Sequence, residues 1–213
     1  RDRRYFFTAK PNLNKIILDY EQGISDEQVD EAIVEHLKEV SGAGKSALQV
    51  ITSPQDESTV PDQAHATLVI LPLSLSDPKQ ANEWMKNVVD RATNRNMLIF
   101  LAPEKGREGA VRSCARRWLA LKAIKGASIF RELDREDKDD VNEQFKEKET
   151  ELAGLLFTIY SRLFRPAGEG VPEVRVTLRR DAKTLAQAVE DALKERGDLI
   201  ESISPDYLSL IHI

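Results

Sequence analysis

The segment Ser41-Gly42-Ala43-Gly44-Lys45-Ser46 carries residue types that can hold a phosphate. In a phosphate-binding loop, backbone N–H groups surround the anion, lysine neutralises it and serine holds Mg²⁺. Gly44, Lys45 and Ser46 match the end of that pattern. The full pattern also needs a glycine where this chain has Glu39. The surrounding elements are inverted as well. A helical pattern comes before the segment and the strand-like Leu48-Gln49-Val50-Ile51 comes after it, whereas the loop requires a strand first and a helix second. No apolar strand ending in Asp or Asp-Glu supplies a Walker B partner. The segment is therefore expected to be a helix end and turn with a solvated lysine. A divergent nucleotide- or phosphoester-handling enzyme using Gly44, Lys45 and Ser46 is the alternative.

A second chemistry is offered by Arg112, Arg116 and Arg117, with Lys105 and Arg107 before them and Lys122 and Lys125 after. Arg112 and Arg116 lie one helical turn apart and could grip a phosphate or an acidic partner. The plainer reading is a solvated helix face. Lys10 and the arginines at 1, 3 and 4 join this group only if the fold brings them together. Asn12 and Asn14, in Pro11-Asn12-Leu13-Asn14-Lys15, could bind a ligand or cap a helix; capping is favoured. Cys114 has arginine neighbours that could activate a thiol. It also shares an apolar stripe with Val111 and Trp118, which makes it a buried structural cysteine. His36, His65 and His212 have no metal-ligand spacing. No serine, histidine and aspartate arrangement is legible, so neither catalytic nor metal residues are assigned. The carboxylates between Asp134 and Glu151 alternate with lysines, as on a salt-bridged solvent face.

Composition sets the frame for these residues. The chain has 213 residues, of which 41% are hydrophobic, and a formal net charge of −5. That suits one sizeable domain, alone or with a small appendage, and provides no global cationic field for DNA or anionic lipid. A single cysteine excludes an internal disulfide and a cysteine-based zinc cage, and suits a reducing compartment. The apolar runs fall well short of the roughly 20 residues that span a bilayer. A cytoplasmic location with no membrane partner is expected. The absence of an initial Met and the apolar stretch Leu210-Ile211-His212-Ile213 suggest a piece of a longer polypeptide.

The elements that must position these residues follow from periodicity. Arg4-Tyr5-Phe6-Phe7-Thr8 reads as a strand. Helices are expected from Asn12 to Tyr20 and from Ser25, where Gln28 completes a capping box. Ala47 to Thr52, Thr67 to Leu71 and Met97 to Leu101 read as buried strands, the last two as central parallel ones. Asp77 and Pro78 open a helix between them, giving a right-handed crossover. A further helix runs from about Glu108 to Lys125. Phe130 to Asp139 reads as a solvated connector. A long helix from about Asp139 to Arg165 follows, with a charged first half that projects from the body. Pro166 to Pro172 reads as a turn or linker, Glu173 to Leu178 as a half-exposed strand, and Asp181 as the cap of a last helix ending at Gly197. That helix is less basic than a DNA-reading one, since Glu190, Asp191 and Glu195 offset Lys183 and Lys194. The expected fold is α/β: a three-layer, mostly parallel sheet of about four to five strands with flanking helices. A long charged helix and a small C-terminal α+β appendage complete it. The core is expected over residues 1–165 and the appendage over 166–213.

Four pieces carry a resemblance. They are Arg4-Tyr5-Phe6-Phe7 with Pro11-Asn12-Leu13-Asn14-Lys15; Val60-Pro61-Asp62 before Thr67-Leu68-Val69-Ile70-Leu71; Asn96-Met97-Leu98-Ile99-Phe100-Leu101-Ala102-Pro103; and Ala115-Arg116-Arg117-Trp118-Leu119-Ala120-Leu121-Lys122-Ala123-Ile124. Over residues 4–165 the chain resembles the downstream region of large bacterial and archaeal predicted ATPases of unknown function. Genes of that family accompany DNA adenine methylases and helicases in anti-phage clusters. The resemblance implies an AAA-type parent whose Walker motifs lie upstream, so ATP and Mg²⁺ belong to the parent and no cofactor to this region. It implies a non-catalytic module with the remainder of the ATPase chain as partner. DNA or methylase and helicase subunits are the further partners implied.

Overall fold

The computed structural model describes residues 12–179 and 181–198. The expected strand at residues 4–8 lies outside them, as does Lys10. The fold is α/β. The described residues divide into two compact units, residues 12–33 with 109–155 and residues 34–108 with 156–179 and 181–198, whereas the sequence reading placed a boundary after residue 165.

The first unit is helical in its described residues. Asn12 caps α1 (Leu13–Gln22), its side chain accepting the Lys15 N–H. Ser25 and Gln28 form the expected capping box at the start of α2 (Asp26–Ser41): the Ser25 N–H donates to Gln28 Oε1 at 2.9 Å and the Gln28 N–H to Ser25 Oγ at 3.3 Å. Helices α4 (Glu108–Gly126), α5 (Ser128–Glu132) and α6 (Arg135–Ile159) complete it, apart from Glu108 and residues 156–159; these, α3 and residues 34–41 of α2 belong to the other unit. Leu13 and Ile17 of α1, Ala120, Leu121 and Ile124 of α4, Leu133 and Val141 form its core. The expected solvated connector at 130–139 is corrected here. Ile129 and Phe130 pack on this core and Leu133 is buried in it, so three apolar side chains outweigh the surrounding charges. Asp134 then caps α6, accepting the Asp137 N–H at 2.9 Å. The charged half of α6 does not project either. Val141 is fully buried, and Phe145 stacks on Trp118 with ring centroids 5.7 Å apart.

The second unit holds a five-stranded sheet: β1 (Gln49–Thr52), β2 (Thr67–Ile70), β3 (Leu98–Pro103), β4 (Tyr160–Phe164) and β5 (Glu173–Val174), in spatial order 1-2-3-4-5. The first three strands are parallel; β4 pairs antiparallel to β3, and β5 pairs antiparallel to β4 and so runs in the direction of the first three. All residues of β2 and β3 are buried, as their continuous apolar runs require of strands covered on both faces. Helix α3 (Pro78–Arg91) begins at the Asp77 cap with Pro78 at its first turn, and its Trp84, Met85, Val88 and Val89 cover Val69, Leu71, Phe100 and Ala102.

Two corrections concern the end of this unit. Residues 160–164 are a strand, not the end of the long helix. The spacing of Leu155, Leu156, Ile159 and Leu163 suits a helix, but Tyr160, Leu163 and Phe164 also fit a short buried strand, an ambiguity that periodicity cannot resolve. The Tyr160 hydroxyl, fully buried, donates to the Leu71 carbonyl at 2.8 Å and fixes the register. Thr184, not Asp181, caps α7 (Leu185–Glu195) by accepting the Gln187 N–H at 3.2 Å; Asp181 pairs with Arg179. Helix α7 ends as expected at Gly197, with φ of 72° and the paired bonds of a Schellman turn. Beyond it Asp198 pairs with Arg196 and Arg165, and Arg196 donates to the Arg175 carbonyl at 3.1 Å, just past β5.

Gly42 is needed twice over. Its φ is 78°, and a Cβ there would lie 2.5 Å from the Cβ and 2.7 Å from the Cγ2 of Thr184. Gly44 shares the positive φ but faces open space. Gly42→Ala should therefore cost about 2–4 kcal/mol, strain plus overpacking, and Gly44→Ala about 1 kcal/mol from strain alone. Urea denaturation compares them; equal losses would show that the Thr184 contact yields freely.

Asp62 anchors the turn before β3. Its carboxylate accepts the Thr93 N–H at 2.8 Å, the Asn94 N–H at 2.9 Å and the Asn94 side-chain amide at 3.0 Å. The backbone N–H groups of Thr93 and Asn94 lower its pKa from 3.8 to about 2. A depressed carboxyl stabilises the fold above its ordinary pKa, and that contribution disappears as pH falls through about 2. Asp62→Asn should be less stable than the parent at neutral pH and lose less on acidification from pH 5 to 2 (about the span of the titration). Matching acid-unfolding slopes in the two proteins would contradict this role.

Candidate functional site

The Gly44-Lys45-Ser46 turn follows the C-terminus of α2. Ser41 Oγ bonds back to the Lys38 carbonyl at 2.7 Å, and the Lys45 N–H donates to the Gly42 carbonyl at 3.0 Å. A helix C-terminus presents carbonyls and partial negative charge, the reverse of what a phosphate requires. The donors of the turn already meet an anion of the chain. Ser46 Oγ donates to Glu190 Oε2 at 2.6 Å, and the Ala47 N–H to the same oxygen at 3.1 Å. Lys194 holds the other oxygen at 2.7 Å. Burial works against the charge on Glu190, yet the bonds from Lys194, Ser46 and Ala47 outweigh it and hold the carboxyl below its ordinary range. Lys45 is exposed. The turn thus docks α7, with Glu190 at one end and the Gly42–Thr184 contact at the other.

The arginines of α4 are also engaged. Arg112 pairs with Asp30 at 2.6 Å, and Arg116 pairs with Asp26 at 2.5 Å while donating to the Ile24 carbonyl at 2.8 Å. Arg117 donates to Glu21 at 3.2 Å and to Gln144 at 3.1 Å. These carboxylates stand on α1 and at the start of α2, so the basic stripe closes the α1–α2 corner of its own unit. The lysines that follow are placed over rings. The Lys122 ammonium lies 4.5 Å from the centre of Trp118 and that of Lys125 4.2 Å from Phe145. Asn12 caps α1, and Asn14 is exposed on it. Cys114 is buried, and burial pushes its thiol up to about 11, so it is an inert core residue.

The carboxyl ends of the parallel strands are where an open α/β sheet normally binds ligands, in the crevice where strand order reverses. Among the described strands the order never reverses. The loop after β3 is internally paired: Lys105 bonds Asp77 at 2.8 Å, raising its own pKa and lowering that of Asp77, and Glu108 accepts the Gly106 N–H at 2.8 Å. His36 is buried and His65 is exposed. Among the described residues no His, Cys, Asp and Glu side chains gather as a metal site, and no helix is long and apolar enough to cross a membrane.

Sequence reasoning missed Glu190 and Asp62. Glu190 carried no local signal, because its partners are 144 residues away at Ser46 and 143 away at Ala47. Asp62 had one, its place after Val60-Pro61, where a short acceptor side chain often closes a turn.

No family model, no curated protein and no solved structure matches the chain.

The arginines differ in what their loss should cost. Arg116 binds a carboxylate and a backbone carbonyl, so Arg116→Met should lower stability by about 1–3 kcal/mol. Arg112 makes a surface ion pair, and Arg112→Met should cost less than about 1 kcal/mol. Urea midpoints decide it; a larger loss for Arg112 would overturn the clamp at the α1–α2 corner.

Proposed function

We propose that this chain is a non-catalytic α/β module of a larger AAA-type ATPase linked to DNA modification or phage defence. One observation carries the non-catalytic part of this reading. The two segments best suited by composition to grip phosphate, Gly44 to Ser46 and Arg112 to Arg117, are each engaged by carboxylates of the chain itself. A nucleotide entering at either would have to displace Glu190, or Asp26, Asp30 and Glu21. The ATPase parentage rests on the sequence resemblance, and nucleotide chemistry would belong to the parent's other regions.

Between DNA and protein as the contact, charge favours protein. The net charge is −5, and the arginines that could have met a phosphate backbone are neutralised. The exposed face of α2, with Glu27, Glu31, Glu35 and Glu39, suits a basic subunit surface. The module would then act by holding or positioning subunits.

The alternative, a divergent nucleotide-handling enzyme, makes the opposite forecast for one titration. Calorimetry with Mg-ATP should give no saturable heat at millimolar nucleotide, with or without Lys45→Ala. Saturable binding that Lys45→Ala removes would replace the present reading with the enzyme.

A further inference from the structure

A pocket of about 220 Å³ opens beside the loop that joins β1 to β2. Its floor is apolar: Val88 and Ala92 from the end of α3, Leu98 at the start of β3, and the half-buried Val60. Its rim carries Glu57, Asp62 and Arg91. This end of the sheet is opposite the strand carboxyl ends considered above, and no motif in the sequence pointed to it.

The walls are held before any ligand arrives. Glu57 begins a short 3-10 turn, Glu57–Thr59, capped by Asp56, which accepts the Ser58 N–H at 2.8 Å. Asp62 is fixed by its three donors in the turn before β3. The Arg91 Nε donates to the Asn87 carbonyl at 3.1 Å, which leaves its terminal nitrogens turned toward the rim. Glu57 Oε1 accepts the Asn87 amide at 3.2 Å. Glu57 Oε2 and Arg91 Nη2 stand 3.6 Å apart, close enough to attract but too far for a good hydrogen bond.

That spacing leaves bonding capacity of both signs at one mouth, above an apolar floor. A carboxylate can take the paired N–H groups of Arg91, and an ammonium can take the open oxygen of Glu57. The Asp62 oxygens are already engaged, and their negative charge favours the ammonium side. The volume lies below the roughly 300–1,000 Å³ of drug-sized sites, so the occupant is small. We propose that this pocket binds a small aliphatic α-amino acid, its carboxylate on Arg91, its ammonium on Glu57 and its side chain against Val60, Val88 and Leu98. The site is independent of any nucleotide chemistry and would give the module a metabolite input of its own.

The test is a titration of the 213-residue chain with L-leucine, followed through backbone amide shifts in two-dimensional NMR. Saturable shifts confined to residues 57–62 and 91–98 are expected at millimolar ligand. 4-Methylpentanoate, which lacks the amine, and 3-methylbutylamine, which lacks the carboxylate, should each bind about tenfold more weakly. Glu57→Gln and Arg91→Gln should weaken L-leucine by a similar factor, about tenfold. The absence of saturable shifts with L-leucine would overturn the proposal. Equal binding of either analogue would overturn it too, by showing an apolar cleft without charge recognition. The analogue comparison uses the unaltered chain, so it holds even if a variant folds poorly.

Discussion

Arg112, Arg116 and Arg117 stand within a turn and a half of one another on α4, and like charges at such spacing repel. They coexist because Asp30, Asp26 and Glu21 are set opposite them. This pairing fixes how α1 and the start of α2 meet α4. Arg116 reaches past its carboxylate to the Ile24 carbonyl, in the short connection between α1 and α2, where a backbone group has no helical partner. Arg117 is shared between Glu21 and Gln144, so α1 and α6 are both registered against α4 by one side chain. Apolar contacts among Leu13, Ile17, Leu121 and Val141 supply the non-directional attraction, and the guanidinium forks fix the geometry. The same device recurs in the second unit, where Glu190 receives Ser46, Ala47 and Lys194 and seats α7 against the turn after α2.

This use of charge explains why composition pointed toward anion binding. A basic run in an acidic chain looks, in one dimension, like a site for something external. Ordinary pairing between segments that are remote in sequence produces the same pattern. Glu190 is invisible from Ser46 along the chain, and Asp26 is 90 residues from Arg116. Local signals fared much better. Asn12, the Ser25–Gln28 box, Asp77 with Pro78, and Gly197 all act through neighbours three or fewer residues away, and each does in the structure what its type predicts. The buried strands were legible because β2 and β3 have no polar face to disguise. The misread segments are those where two periods fit the same residues or where a few apolar side chains outweigh many charges. Tyr160 to Phe164 is the first kind and Ile129 to Leu133 the second.

The segments whose residue types suggested phosphate serve internal docking, and the described strands form no reversal crevice. Among the described residues, the exposed carboxylates of α2 and the small rim of Glu57 and Arg91 are two surfaces open to recognition. The first is broad and repulsive toward nucleic acid. The second is narrow and carries both signs.

The bond from Arg196 to the Arg175 carbonyl has a bearing on colloidal behaviour. Among the described strands β5 lies at one edge of the sheet, and residues 175–179 continue past it, with Val174 of β5, Val176 and Leu178 half-buried and charged or polar side chains between them. Such a ribbon is a template on which another chain could extend the sheet, the first step of fibrillar aggregation. A guanidinium seated on its carbonyl, itself held by Asp198, occupies one of the acceptors an incoming strand would need and places a desolvation cost in its way. Arg196 thereby guards the segment just past β5 at that edge of the sheet, taking one backbone acceptor out of reach of a neighbouring chain.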